Sequence, residues 1–459
     1  MWGIALLIVA VLLYVFGQKR WSFLIYIFFL SNGFSVLTDD VIGAKNADLA
    51  VVYTAIVFVF SFFRERNCAY EDKWLRRFVQ LFFFFLAASA FYSNVHYRFS
   101  WYQILQGGRH LFLFMGYFFV IKAKPSDVLW LVEKVYKITV VISILYVIQV
   151  LGGYAVLPYS REVQIDPATG LGRYYNAPLS LPLAIYLLLF EPSVVKSPTK
   201  VFDLVVLVGA QVCTLGRVEI AVTFMMVLLG ILLKGSGTAI VRVLFVVSLL
   251  LFPAAEILES RFTMEGDTEM DLSALVRGSY REVTEKGKTE GGTLTYRIAW
   301  IYERYKYLQD RPTGEKVFGL GMISDSQTEI VRERYDFKVG LENEETGEVV
   351  QLGTPDIAYG NMLTHLGFGG GALLMVIWLY MAWRAFCMRG LKPFENVLTI
   401  LLIGYMLRSL SGSIISETGN LILPFMMFAT YLCAEQRQGS GKTLKRKLLS
   451  QSVNDGDTR

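Results

Sequence analysis

Apolar runs recur along the whole chain, beginning near Trp2, Trp21, Leu49, Phe78, Leu105, Val135, Pro178, Val201, Val218, Ala239, Ala358, Val397 and Asn420. A helix needs about 20 such residues to cross a bilayer, so the pattern predicts an all-α polytopic membrane protein with about 12–13 transmembrane helices. The first run follows Met1-Trp2-Gly3 directly. It lacks the basic start and small-residue cleavage site of a signal peptide and is expected to be a retained span. No internal repeat is visible. Residues 1–257 read as an N-terminal transmembrane bundle and 258–357 as one large loop. Residues 358–435 read as C-terminal transmembrane helices and 436–459 as a basic tail.

Basic residues assign the sides of the membrane. With Lys19 and Arg20 placed in the cytoplasm, alternate loops fall on the same side. These are Arg64 to Arg77, Lys122 to Lys137, Lys196 to Lys200, Lys234 to Arg242, Arg384 to Lys392, and the tail with Lys445-Arg446-Lys447. The large loop then lies outside. Acids outnumber bases in it, and its first part, Met264 to Gly292, is rich in Gly, Glu, Thr and Lys and reads as mobile. In Thr293 to Asp310, Ile298, Ile301, Tyr305 and Leu308 recur at helical spacing, with Glu303, Arg304 and Lys306 between them. That spacing predicts an amphipathic helix on the outer membrane face, stopped by Arg311-Pro312-Thr313-Gly314.

Composition agrees with this picture. Hydrophobic residues make up 54% of the 459 and charged residues 18%, far from the balance of a soluble domain. The net charge of +5 is spread through loops and needs no nucleic acid to explain it. Of the four cysteines, Cys68 and Cys387 lie in basic loops and Cys213 and Cys433 in or beside apolar runs. They form neither a zinc spacing nor a disulfide framework.

Charges at the outer ends of apolar runs are the candidate chemistry, because an Arg at a bilayer centre costs about 2.5–3.5 kcal/mol and needs a cavity or a partner. Arg217 sits in Thr214-Leu215-Gly216-Arg217 between two runs with almost no loop, and Gly216 suits a tight turn. Arg217 is either a bidentate phosphate ligand or a snorkelling helix cap. Arg297, Arg173 and Arg109 also fall at outer ends, either as part of an anion site or as solvated surface residues. Asp356 in Thr354-Pro355-Asp356 is either a general base for a substrate hydroxyl or an N-cap. His365 is either a proton carrier or a core histidine bonded to a neighbouring helix. Arg408 and Glu417 flank the last outer turn, where they are placed to pair. The adjacent Asp39 and Asp40 are similar to the acidic pair of metal-dependent membrane glycosyltransferases. No metal or other cofactor is expected.

These residues occur in a recognisable order. Gly216-Arg217 joins two close spans, and a large outer loop follows. The loop carries Arg297 three residues before Trp300, then Pro312, then Gly319-Leu320-Gly321; the next span carries Gly367 and Gly370. From Arg173 to Phe425 this resembles the bacterial O-antigen ligase and polymerase superfamily. Ligases of that family place a His about eleven residues before the first spaced glycine, where this chain has Asp356. That departure favours a repeat-unit polymerase over a ligase.

The resemblance implies a membrane glycosyltransferase of the bacterial inner membrane. Its substrate would be an undecaprenyl-diphosphate-linked glycan, polymerised at the periplasmic face. It implies Arg217 and Arg297 on the diphosphate and Asp356 at the acceptor hydroxyl as the catalytic group. Arg173, Arg109, His365, Arg408 and Trp300 would be substrate-binding. The lipid bilayer, a chain-length regulator and a flippase are the implied partners. A ligase to a lipid or protein acceptor is the first alternative and a polysaccharide transporter the second. The missing repeat and the one-sided charges argue against a transporter.

Overall fold

The computed structural model describes the chain except residues 1, 38, 65–70, 159–162, 166–169, 235–272, 275, 282–292, 325–327, 341–348, 354–356, 395 and 437–459. The expected span near Ala239, most of the Gly- and Glu-rich segment, Asp356, Cys68 and the basic tail therefore lie outside the described residues.

The described chain is helical, with one short antiparallel ladder. Its main helices in the first half are α1 (Trp2–Val15), α2 (Lys19–Leu30), α3 (Asn46–Arg64), α4 (Lys73–His96), α5 (Trp101–Phe112) and α6 (Pro125–Gly152). Strands β1 (Val163–Ile165) and β2 (Gly172–Tyr174) follow, then α7 (Leu181–Phe190), α8 (Lys200–Cys213) and α9 (Arg217–Lys234). The large loop supplies α10 (Thr293–Gln309) and α11 (Thr313–Phe318) before α12 (Ala358–Cys387) and α13 (Val397–Arg408). Residues 422–436 form a final helix.

Local sequence explains the ends. Asp72 caps α4 by accepting the Trp74 and Leu75 amides, and Ser100 with Gln103 forms a capping box on α5. Pro125 opens α6, and Gly153 closes it in the left-handed conformation.

Helices α3, α4, α6 and α12 are long and apolar enough to cross a membrane, as in a multi-pass membrane protein. Their outward faces carry exposed apolar side chains such as Phe62, Phe84, Phe91, Val141 and Leu379. A surface of that kind is stable against lipid rather than water. Helices α1, α7 and α13 are shorter apolar helices.

Two ends of the bundle are distinct. At one end, Arg64 Nη1 donates to Val15 O (3.2 Å) and Lys122 Nζ to Ser61 Oγ (3.0 Å). Lys196 pairs with Glu133 (3.3 Å) and Arg384 with Asp72 (3.1 Å) at the same end. The basic loops around Arg64, Lys122, Lys196 and Arg384 that the sequence grouped together thus lie at one end. Described parts of the large loop meet the opposite end, the loop end, where Glu315 pairs with His96 at the end of α4 (3.0 Å).

The loop enters the bundle instead of lying over it. After α11 the chain turns through Gly319-Leu320-Gly321, with Gly319 (φ 79°) and Gly321 (φ 101°) in the positive-φ region, and packs against α12, which bends at Gly367 (φ 61°, ψ −165°). Leu320 N donates to Thr364 O (2.7 Å), and Met322 N donates to Ser93 Oγ of α4 (3.1 Å). Irregular backbone packed among apolar helices needs hydrogen-bond partners from the protein. The bend in α12 supplies one and Ser93 another.

Candidate functional site

The turn carrying Arg217 is tighter than its sequence suggests. Leu215 takes the left-handed conformation (φ 52°), a position expected for Gly216. A bulky residue there costs about 1–2 kcal/mol, so the turn is strained. Gly216 lies close under Glu219: a Cβ at that position would lie 3.1 Å from Cγ of Glu219.

Glu219, in the first turn of α9, forms an ion pair with Arg408 at the end of α13. The expected pairing of Arg408 with Glu417 is therefore replaced, and Glu417 instead accepts from Ser413 Oγ (2.6 Å). The reason is the packing of α9 against α13, a contact no local pattern announces.

Arg173 lies on β2, opposite Gln164 of β1, with its guanidinium 5.0 Å from the Tyr175 ring centre. The Tyr146 hydroxyl donates to Tyr174 O (2.9 Å) and lies 3.4 Å from Cys213 O. The ladder is thereby held against the end of α8, immediately before the Arg217 turn. Arg173 and Arg217 thus belong to one neighbourhood.

Arg297 and Trp300 share one side of α10, three residues apart. Trp300 is fully buried, and a Cβ on Gly360 of α12 would lie 2.2 Å from its ring. Among the described residues its Nε1 has no hydrogen-bond acceptor.

The amphipathic reading of α10 needs correction. Its buried stripe is Thr295, Ala299, Trp300, Arg304 and Leu308, so only Leu308 of the expected apolar stripe is fully buried, and Tyr305 is exposed. Arg304, expected on the solvent side, is fully buried. Its guanidinium donates to Glu303 Oε2 (2.7 Å), Val339 O (2.6 Å) and Gln351 O (3.0 Å). It lies between the rings of Trp300 (4.0 Å) and Phe337 (4.3 Å). Burial is tolerable because both terminal nitrogens have acceptors and both ring faces of the guanidinium are covered. Burial pushes the Glu303 carboxyl above the usual carboxylate range, against the pull of Arg304 and the Lys338 and Val339 amides.

Arg109 and His365 form a second group. Arg109 Nη1 pairs with Asp48 of α3 (2.8 Å), a partner that charge placement in the sequence did not suggest. His365 Nδ1 lies 3.4 Å from Gly321 O, so the ring faces the inserted segment. His110 lies within electrostatic reach of both Arg109 and His365.

The two groups adjoin at the start of α12. Ala358 N donates to Gly412 O (3.0 Å) and Tyr359 OH to Met406 O (2.8 Å), linking that start to the turn after Arg408. Thr418 Oγ1 donates to His110 O (2.6 Å), linking the same turn to α5. Asp356, two residues before Ala358, lies outside the described residues.

Asp39 accepts from Asn46 N (2.9 Å) and Asn46 Nδ2 (3.0 Å), a capping arrangement; the Asp40 side chain lies outside the described residues. Among the described residues no group of three or more His, Cys, Asp or Glu side chains is placed to hold a metal ion. A cavity of about 660 Å³ lies at the other end of the bundle, lined by Asp72, Trp74, Tyr380, Trp383, Arg384 and Glu435 among others.

Sequence reasoning missed Glu219, Arg304, Asp48 and His110. Only Glu219 carried a signal, an acid two residues after the candidate arginine. No family model matches the chain, and no curated protein matches it.

Proposed function

We propose that the chain is a membrane glycosyltransferase that polymerises undecaprenyl-diphosphate-linked oligosaccharide units into surface polysaccharide. In this reading it spans the inner membrane about 12–13 times, with the loop end facing the periplasm and the C-terminal tail in the cytoplasm.

One observation carries the reading. The Gly319-Leu320-Gly321 segment packs into the bend of α12 at Gly367. The large loop is thereby joined to α12, whose start is linked through the turn after Arg408 to Glu219 of the α9 turn. The motifs that suggest the family are dispersed in sequence, and several of them touch in space.

The chemistry follows from charge. A hydroxyl of one lipid-linked unit attacks the anomeric carbon of another, the glycosidic bond forms, and the bond to undecaprenyl diphosphate breaks. Negative charge grows on the departing diphosphate. Fixed guanidinium groups therefore stabilise the transition state more than the ground state. Arg217 and Arg297 are assigned this role, with Arg173 beside Arg217. Asp356 is assigned to orient the acceptor hydroxyl and take its proton.

The test is a deletion strain. Loss of long-chain polysaccharide with single repeat units retained supports polymerisation. Accumulation of long lipid-linked chains shows ligation instead, and unchanged surface glycan overturns both.

A further inference from the structure

Arg408 is expected from sequence to touch substrate. Its surroundings assign it differently. It ends α13 with 14% of its side chain exposed, and its charge is met by Glu219, itself 27% exposed. Glu219 belongs to the same helical turn as Arg217, and its side chain folds over Gly216 beneath that turn. On the other side of the pair, Arg408 O accepts from Ser411 N (3.0 Å), and Gly412 O accepts from Ala358 N (3.0 Å). A continuous path of contacts therefore runs from the first turn of α9, through Glu219 and Arg408, to the start of α12.

The α9 turn cannot fix its own orientation well. Leu215 is held in an unfavourable conformation (φ 52°), and strain of this kind persists only where surrounding contacts over-determine it. A partly desolvated carboxylate–guanidinium pair supplies such a constraint, because separating it leaves two charges short of solvent.

We propose that Glu219 is a positioning residue: through Arg408 it holds the α9 turn in register with the start of α12, so that Arg217 is presented to the substrate in one fixed orientation. This rests on the polymerase reading above. Glu219 does not contact substrate, and Arg408 acts as its counter-charge instead of as a phosphate ligand.

The experiment uses full-length protein in detergent or nanodiscs. It compares wild type, Glu219→Gln, Arg408→Lys and the exchanged pair Glu219→Arg with Arg408→Glu. Turnover and KM are measured with lipid-linked donor, and inorganic pyrophosphate serves as a separate binding probe through its shift of the thermal midpoint. In Glu219→Gln, turnover is expected to fall about a hundredfold with KM changed less than about threefold, because a misplacement near 1 Å is enough for such a loss. The pyrophosphate shift is expected to shrink with it. Arg408→Lys keeps the charge and is expected to retain more turnover than Glu219→Gln, and the exchanged pair to recover both turnover and pyrophosphate shift.

Wild-type turnover in Glu219→Gln overturns the proposal. So does a loss explained by less folded protein, or an exchanged pair that regains the thermal midpoint without turnover. Wild-type protein that neither polymerises nor responds to pyrophosphate overturns the polymerase reading itself, and the inference with it.

Discussion

Gly319 and Gly367 meet backbone to backbone. A Cβ built on Gly319 would lie 2.5 Å from Gly367 N, and one built on Gly367 would lie 2.4 Å from Gly319 N. Both residues have positive φ, 79° and 61°. The large loop can enter the bundle only because neither residue has a side chain.

Gly319→Ala and Gly367→Ala are each expected to destabilise the protein by about 3 kcal/mol or more, from backbone strain plus overpacking. Gly390→Ala is the control. It has φ 86° and nothing within 4 Å of the added Cβ, so it should cost only about 1 kcal/mol. Thermal unfolding of purified protein reads the difference. Equal midpoints for all three variants would show that the two glycines do not form the junction described.

Arg304 is the second fixed point of the loop. Three acceptors and two aromatic rings surround it. Arg304→Ala leaves Glu303 buried beside a cavity and is expected to cost about 3–5 kcal/mol. The loss should be local first, so limited proteolysis within residues 293–340 should accelerate before the membrane helices unfold. Protease resistance equal to wild type would count against Arg304 as the anchor.

At the other end of the bundle, Asp72 gives a pH signature. Burial pushes its carboxyl up. The Leu75 amide, the Tyr380 hydroxyl and Arg384 pull it down further, so the net direction is below the usual range. A depressed acid stabilises the fold above its unfolded value, about 3.9, and loses that contribution as pH falls through the folded value. Asp72→Asn should therefore lower the thermal midpoint at neutral pH, by about 1–2 kcal/mol of stability. The gap to wild type should close at acid pH. A gap that stays constant down to pH 3 would refute the charge-based account.

The sequence made the coarse architecture readable because lipid solvent imposes long apolar runs, and basic residues mark one set of loop ends. Helix α10 was readable too, from its spacing and from Pro312. The side it buries was not. Arg304 finds Val339 O and Gln351 O, 35 and 47 residues away, and no periodicity encodes partners so distant. The same holds for Arg408, which looked placed to pair with nearby Glu417 and instead meets Glu219 across a helix contact. Glycine spacing fared better. Gly319, Gly321, Gly367 and Gly370 all sit where another chain segment or ring leaves no room for a Cβ.

Arg217 gives the sharpest functional test. Arg217→Ala and Arg217→Lys should both abolish long-chain polysaccharide while the protein remains in the membrane. Lysine preserves the positive charge but offers no planar pair of donors, so its failure would isolate the bidentate contact from charge alone. In purified protein, turnover of lipid-linked donor by Arg217→Lys should fall about a hundredfold or more, the scale expected when one transition-state donor is removed. Arg297→Lys should behave in the same way if both guanidinium groups face the departing diphosphate. Loss in Arg217→Lys with full activity in Arg297→Lys would leave only the α9 turn at the leaving group. A normal chain-length ladder from Arg217→Lys would exclude the bidentate role and leave the strained Leu215 turn without a catalytic purpose.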